Sequence, residues 1–99
     1  MAQPQLLHVK IISPKEVLFD GPAVSVSSKN SAGNFDILFG HANFITFIDN
    51  YPVTVRKPDQ TIAAFHFPMA IIYNTNNNVY IYTDIHLQLE EQNSGQPNI

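Results

Sequence analysis

The sequence contains no cysteine among its 99 residues. That absence excludes disulfides, thiolate catalysis and cysteine-based metal sites, and nothing in the chain points to an oxidising compartment, so a cytoplasmic location is the default expectation. No stretch approaches about 18 uninterrupted apolar residues, and the first residues lack the basic flank and apolar run of a signal peptide. We therefore predict neither a membrane-spanning helix nor export.

Charged residues are scarce as well, at 13% of the chain against about 25% in an average soluble domain. Hydrophobic residues make up 44%, so much of the surface must be neutral or apolar, which favours a chain that partners cover. The basic residues form no stripe along the sequence, and a nucleic-acid ligand is therefore not expected. They are Lys10, Lys15, Lys29, Arg56 and Lys57.

Helical periodicity is also missing, and short alternating apolar runs take its place. Residues 7–12, for example, place His8 and Lys10 between apolar neighbours, which is typical of a strand with one dry face. Nine such runs recur about every 8 to 12 residues. The pattern predicts an all-β fold, a two-layer antiparallel β-sandwich or flattened barrel of about nine to ten short strands.

Turn-forming residues separate these predicted strands. Asp49, Asn50 and Pro52 predict one break, and two loops at 58–60 and 74–78 predict hairpins. We also expect a positive φ to explain the three glycines that fall between strands. These are Gly21, Gly33 and Gly40.

The chain is predicted to hold one domain. Residues 1–87 form the β-sandwich, and residues 88–99 are too polar to bury and are expected to be a disordered tail.

No constellation typical of catalysis is recognisable. The histidines lie in separate predicted strands without the spacing that metal ligands need, no serine has a Gly-x-Ser-x-Gly context, and no glycine-rich phosphate loop is present. We predict no enzyme activity, no cofactor and no metal. The histidines are His8, His41, His66 and His86.

His41 stands apart because it follows Gly40 at a strand corner. A histidine there can hydrogen-bond backbone carbonyls and hold the corner, and contact with a partner is the other possibility. Among the aromatics, we assign Phe47 and at least one of Phe65 and Phe67 to the core, since each buried ring contributes about 2 to 3 kcal/mol.

Tyr80 and Tyr82 alternate with apolar residues and share one strand face. We expect these two rings to be half exposed at a contact surface.

The stretch from Ala32 to Phe47 carries a resemblance to a known family. A strand anchored at Gly33 runs into Gly40-His41-Ala42, and it is preceded by an apolar-apolar-Asp-Gly step at 18–21. This order resembles the N-terminal β-sandwich domain of the epsilon subunit of F-type ATP synthase, called delta in mitochondria, over roughly residues 6–84.

The chain departs from the family's pattern at several positions. Phe39 stands where the family keeps proline, a glycine expected near Asp36 is absent, and Pro68, Met69 and Ala70 replace a Gly-Gly pair. The resemblance covers the β-sandwich and does not extend to the two C-terminal helices of many epsilon subunits, so no inhibitory role is carried over.

The resemblance implies a non-catalytic rotor subunit that bridges the gamma subunit and the c-ring and couples proton transport to ATP synthesis. It would be peripheral, on the cytoplasmic face of the membrane, without inserting into the bilayer, and monomeric when isolated. The positions that match the family's gamma contacts are Ser13, His41, Ala42 and Asn43, and those that match its c-ring contacts are Asn30, Ser31 and Asn34.

Family members often carry a carboxylate at the position of Asn34, so hydrogen bonds would replace a salt bridge there. The alternative from another class is a surface or secreted carbohydrate-binding sandwich that uses Tyr80, Tyr82 and the loop at 74–78.

Overall fold

The computed structural model describes residues 5–83, which form seven strands in a single sheet. This part of the chain contains no helix long and apolar enough to cross a bilayer. The strands are β1 (Leu7–Ile12), β2 (Val17–Ala23), β3 (Ser25–Asn30), β4 (Gly33–Leu38), β5 (Phe44–Arg56), β6 (Ile62–Thr75) and β7 (Asn78–Thr83).

The strands follow the order β2-β1-β7-β6-β5-β3-β4. Every neighbouring pair is antiparallel except β1 and β7, which run parallel with His8 beside Asn78 and Ile12 beside Tyr82. The all-β prediction is confirmed, but the sheet is mixed, because the first described strand lies beside the last one.

The core is a single cluster to which all seven strands contribute. In β1 and β7 alternate residues point inward, as strand geometry requires, and the inward side chains are fully buried. The buried apolar residues are Leu7, Val9, Ile11, Ala23, Val26, Ile37, Ile48, Val53, Val55, Ala70, Ile72, Val79 and Ile81.

Two long strands, β5 and β6, carry the sheet from one layer to the other. Along β5 the buried residues are even-numbered up to Ile48 and odd-numbered from Val53 onward, and β6 changes parity in the same region. The ribbon thus reverses its buried face halfway, as strands do when they pass between the layers of a sandwich.

This reversal explains the difference from the predicted strand count. The turn residues at 49–52 were expected to end one short strand and begin another, and Pro68 lies between two further predicted strands, 61–67 and 69–73, but the backbone pairing continues on both sides of each. Nine predicted strands therefore become seven.

Contacts between side chains join the two layers. The rings of Phe19 in β2 and Phe65 in β6 meet edge to face at 6.2 Å between centroids. On the other side, the Asn30 amide at the end of β3 donates to Thr46 Oγ1 in β5 at 2.9 Å. The sheet is therefore folded over its own core.

The predicted hairpins are confirmed. β5 and β6 are joined through residues 57–61, and β6 and β7 through Asn76 and Asn77, whose φ angles of 47° and 66° suit asparagine.

The prediction for the glycines holds at two positions and fails at one. Gly33 and Gly40 have positive φ, but Gly21 lies inside β2 opposite Val9. Because β2 is an edge strand, it also tolerates the neighbouring Pro22, which would interrupt a central strand.

Candidate functional site

The corner between β4 and β5, residues 40–43, is held by hydrogen bonds. The His41 ring donates from Nδ1 to the Ala42 carbonyl at 2.8 Å, and the His41 backbone N–H donates to the Leu38 carbonyl at 3.0 Å. The ring also lies 4.9 Å from that of Phe44 between centroids. Sequence reasoning anticipated a histidine that bonds backbone carbonyls at this corner.

Sequence analysis placed Asn74 in the loop at 74–78, but the structure places it in β6, where it supports the same corner. Its side chain is fully buried, and its Nδ2 donates to the carbonyls of His41 and Ala42 at 3.3 and 3.0 Å. Its Oδ1 has no hydrogen-bond partner among the described residues. The buried amide therefore supplies a donor to the His41 carbonyl and a second one to the Ala42 carbonyl, which also accepts from the His41 ring.

Ser13 lies away from the corner although both match the family's gamma contacts. Ser13 directly follows Ile12, which pairs with Tyr82 at the far end of β7. The corner instead bonds Asn77, in the turn that precedes the first residue of β7, Asn78. The four residue steps between Asn78 and Tyr82 span about 13 Å. The Ser13 hydroxyl is also committed locally, because it accepts from the Glu16 N–H and donates to the Glu16 carbonyl.

The predicted c-ring contacts all lie at the tip of the hairpin between β3 and β4. Ser31 and Asn34 are exposed. Asn30 is held in place, because its Nδ2 bonds Thr46 and its Oδ1 accepts from the Ala32 N–H at 2.8 Å.

An open cleft of about 550 Å³ separates this hairpin tip from the bend of β5. Lys29 lies over the ring of Tyr51 at 5.5 Å along one side of it. The lining residues are Lys29, Asn30, Ser31, Phe47, Asp49, Asn50 and Tyr51.

The outer face of β5, β6, β7 and β1 carries a continuous apolar surface, which we call the aromatic platform. Its residues pair directly across neighbouring strands in two rows, so their side chains share one face. The first row is Ile45, Tyr73 and Tyr80, and the second is Phe47, Ile71, Tyr82 and Ile12.

Several platform side chains are substantially exposed. The exposed fractions are 66% for Ile45, 52% for Phe47 and 40% for both Tyr73 and Tyr82. Tyr73 and Tyr80 stack with ring centroids 6.3 Å apart. Sequence reasoning correctly predicted that Tyr80 and Tyr82 share a partly exposed face.

The assignment of Phe47 to the core was wrong. Apolar residues on both faces of 44–48 suggested a doubly buried strand, but only one face of this segment packs on the core. Phe65 and Phe67 do pack against the core, as predicted.

The outer face of the other layer is different in character. There Asp36, Ser27 and Thr54 form one cross-strand row, and the Ser27 hydroxyl donates to the Asp36 carboxylate. The neighbouring row on this face mixes polar residues with Leu38 and Ile62, which are 50% and 53% exposed, so the aromatic platform is distinguished by two adjacent rows of aromatic and aliphatic residues.

The titratable groups do not assemble into reactive clusters within residues 5–83. No group of three potential metal ligands occurs there, and His8 pairs with Asp20 at 2.7 Å on the surface. Hydrogen bonds from the hydroxyl and then the N–H of Thr61 hold the pKa of Asp59 below its ordinary value. His86 and the predicted tail at 88–99 lie outside the described residues.

Comparison with known proteins identifies the family. Residues 6–88 match the family described as the ATP synthase delta/epsilon chain, beta-sandwich domain. The chain belongs to this family. The match extends over most of the domain predicted at residues 1–87.

The relatives include two ATP synthase epsilon chains. The one from Francisella tularensis is 31% identical over 90 residues, which cover 91% of this chain and 61% of the relative. The one from Sulfurimonas denitrificans is 29% identical over 56 residues, which cover 57% of this chain and 43% of the relative. The chain thus spans about half the length of these relatives.

Solved structures with a similar fold come from mitochondrial ATP synthases. A chain of the Euglena gracilis enzyme matches with a TM-score of 0.74 at 13% identity, covering 90% of this chain and 61% of that one. A chain from the central stalk and c-ring of the Tetrahymena thermophila enzyme matches with a TM-score of 0.66 at 14% identity, covering 99% and 84%. At these identities the likeness concerns the fold.

Proposed function

We propose that this chain is a non-catalytic central-stalk subunit of an F-type ATP synthase. It bridges the gamma subunit and the c-ring, and so couples proton transport to ATP synthesis from a peripheral position on the cytoplasmic face of the membrane. Membership of the delta/epsilon family over residues 6–88 supports this role.

The observation that carries the proposal is the aromatic platform. Exposed apolar surfaces of this kind mark sites where another protein is bound. Aromatic residues are also enriched at the centres of protein interfaces, where charges are depleted. The platform has this composition, and Lys10 lies at its edge beside Tyr80.

The gamma subunit is the partner we assign to the platform. Two of the positions that match the family's gamma contacts border the platform. Asn43 lies two residues before Ile45, and Ser13 directly follows Ile12. A partner that covers the platform would therefore touch the corner at one end and the Ser13 turn at the other. A single partner on the platform would therefore contact both the corner and Ser13, although these two sites lie apart in the fold.

The c-ring is assigned to the tip of the hairpin between β3 and β4. Ser31 and Asn34 are exposed and neutral there, so hydrogen bonds rather than ion pairs would bind polar loops. The amide of Asn30 is committed within the fold and contributes by fixing the shape of the tip.

Binding of the purified gamma subunit tests the role of the platform. Ile45→Lys puts a charge on the platform, and Thr54→Lys makes a matched change in the same strand on the outer face of the other layer. We expect Ile45→Lys to weaken binding at least tenfold, which is about 1.4 kcal/mol, and Thr54→Lys to leave it unchanged. Equal affinity of both variants would contradict the assignment.

The corner is tested by the same measurement. His41→Ala and Ala42→Arg should each weaken gamma binding while the circular dichroism spectrum stays unchanged. A charge in a desolvated interface is costly, so Ala42→Arg should have the larger effect. Specific retention of a glycan together with no gamma binding would favour the carbohydrate-binding alternative and defeat the rotor proposal.

A further inference from the structure

The corner at 40–43 takes much of its support from another part of the chain. Its backbone forms one bond with the end of β4, from the His41 N–H to the Leu38 carbonyl. Other bonds come from the end of β6 and the following turn, where Asn74, Asn76 and Asn77 lie. The orientation of the corner thus depends on residues more than thirty positions away in sequence.

Asn77 bonds two different parts of the chain. Its Oδ1 accepts from the Gly40 N–H at 2.7 Å, and its carbonyl accepts from the His8 N–H at 3.0 Å. One residue therefore ties the corner to the starts of β1 and β7.

Gly40 makes this tie important. It has a φ of 88°, a conformation available to glycine because it lacks a side chain. The residue before it is Phe39, which leaves the backbone freer than a proline would. Without Asn77, the Gly40 N–H would lose its hydrogen-bond acceptor within the fold.

We infer that Asn77 is a positioning residue for the gamma contact. Its side chain fixes the direction in which His41 and Ala42 face the partner. This inference rests on the proposed function, and it adds a determinant of gamma affinity that lies outside the contact positions themselves.

The neighbouring Asn76 offers a matched control. Both residues occupy the two-residue turn between Thr75 and Asn78, and both have positive φ. Asn76 reaches the corner through its backbone N–H, which donates to Asn43 Oδ1 at 2.8 Å. Glycine at either position keeps the turn conformation, but only Asn77→Gly removes an acceptor from the corner.

The turn itself should tolerate Asn77→Gly well. Positive φ at both central residues defines a type I′ turn, for which an Asn-Gly pair is strongly preferred. A merely structural role would therefore leave this variant as stable as Asn76→Gly, or more stable. A loss of gamma affinity cannot then be attributed to a weakened hairpin.

The experiment compares gamma affinity for Asn77→Gly, Asn76→Gly and Asn77→Asp in the full chain, well below the lowest unfolding midpoint. We expect Asn77→Gly to weaken binding about fivefold, the usual worth of one hydrogen bond, and to speed hydrogen exchange at the Gly40 amide. Asn76→Gly should change neither. Asn77→Asp retains an acceptor at this position, so its gamma affinity and its hydrogen exchange at the Gly40 amide should match those of the unmodified chain.

The outcomes separate the inference from the proposed function. If His41→Ala and Ala42→Arg weaken binding but Asn77→Gly behaves like Asn76→Gly, the inference is overturned and the gamma assignment stands. Failure of Asn77→Asp to restore affinity would also overturn it. A third outcome is that the His41 and Ala42 variants bind gamma normally while hydrogen exchange at Gly40 still rises in Asn77→Gly. The hydrogen bond between Asn77 and Gly40 would then exist, but the corner would not contact gamma. That result would defeat both the assigned gamma contact at the corner and the positioning role of Asn77.

Discussion

Asn50 in β5 lies opposite Pro68 in β6, between the paired residues Asp49–Met69 and Tyr51–Phe67. Asn50 has a φ of 51°, and Pro68 has no N–H to donate to a neighbouring strand. Two residues that each interrupt a strand therefore face one another, and the ribbon bends there without a change of register. The bend places the aromatic platform on one layer and a face of mixed polarity on the other.

Substitution of Asn50 tests whether the bend requires a residue that tolerates a positive φ. Asn50→Val puts a β-branched residue at a positive φ, which should lower the free energy of unfolding by about 1 to 2 kcal/mol. Asn50→Gly accepts the same φ and should retain near-normal stability. Urea unfolding monitored by circular dichroism measures the free energy of unfolding of both variants. An equal loss of stability in the two would exclude backbone strain at residue 50 as its cause.

Replacement of Asn74 should be costly because the residue is buried. Asn74→Leu removes the donor to the carbonyls of His41 and Ala42, and the loss of one hydrogen bond typically costs about 0.5 to 1.5 kcal/mol. Asn34→Leu, the same change at an exposed position, should cost much less. Thermal unfolding of the two variants makes the comparison, and similar midpoints would rule out a structural role for the buried amide.

The contact between Asp59 and Thr61 predicts a pH effect. The carboxylate accepts from the Thr61 hydroxyl at 2.6 Å and from its N–H at 2.9 Å, and both bonds lower the pKa of Asp59 in the folded chain. A lowered pKa stabilises the fold above the pKa of the unfolded chain, and this contribution is lost as the pH falls through the folded value.

Thr61→Val should therefore raise the pKa of Asp59 and reduce this acid-dependent loss, whereas Thr61→Ser should keep the pKa low. Carbon NMR titration of the carboxyl group reads the pKa directly. A pKa of Asp59 that is the same in all three proteins would contradict the role of the hydroxyl.

The absence of cysteine makes crosslinking a clean test of the c-ring assignment. Ser31→Cys introduces a unique thiol at the hairpin tip, and Thr61→Cys introduces one at an exposed turn at the other end of the same layer. With a cysteine placed in the polar loop of the c subunit, we expect a disulfide from the Ser31 variant alone. Crosslinks of equal yield from both positions would refute a specific contact.

Sequence patterns captured the fold class because alternation and turn chemistry act locally. The loop at 58–60 and the asparagine turn predicted at 74–78 were located to within two residues for this reason. The continuity of β5 and β6 was not predictable in the same way. Asn50 and Pro68 each look like the end of a strand, and only their pairing across the ribbon keeps both strands intact.

The candidate site was predictable in part. Alternation along β7 identified Tyr80 and Tyr82, but Phe47 looked like a core residue because its strand is apolar on both faces. Asn74 was missed because nothing in its local sequence distinguishes it from other asparagines. Its role arises from a corner more than thirty residues earlier.

The parallel pairing of β1 with β7 also affects how the chain is made. His8 meets Asn78 only after β7 has been synthesised, so until then β1 can pair with β2 alone and its other edge stays open. Contacts between such distant segments slow folding, and strand edges left open meanwhile invite aggregation. Chaperone dependence during translation is therefore the expected weakness of this architecture.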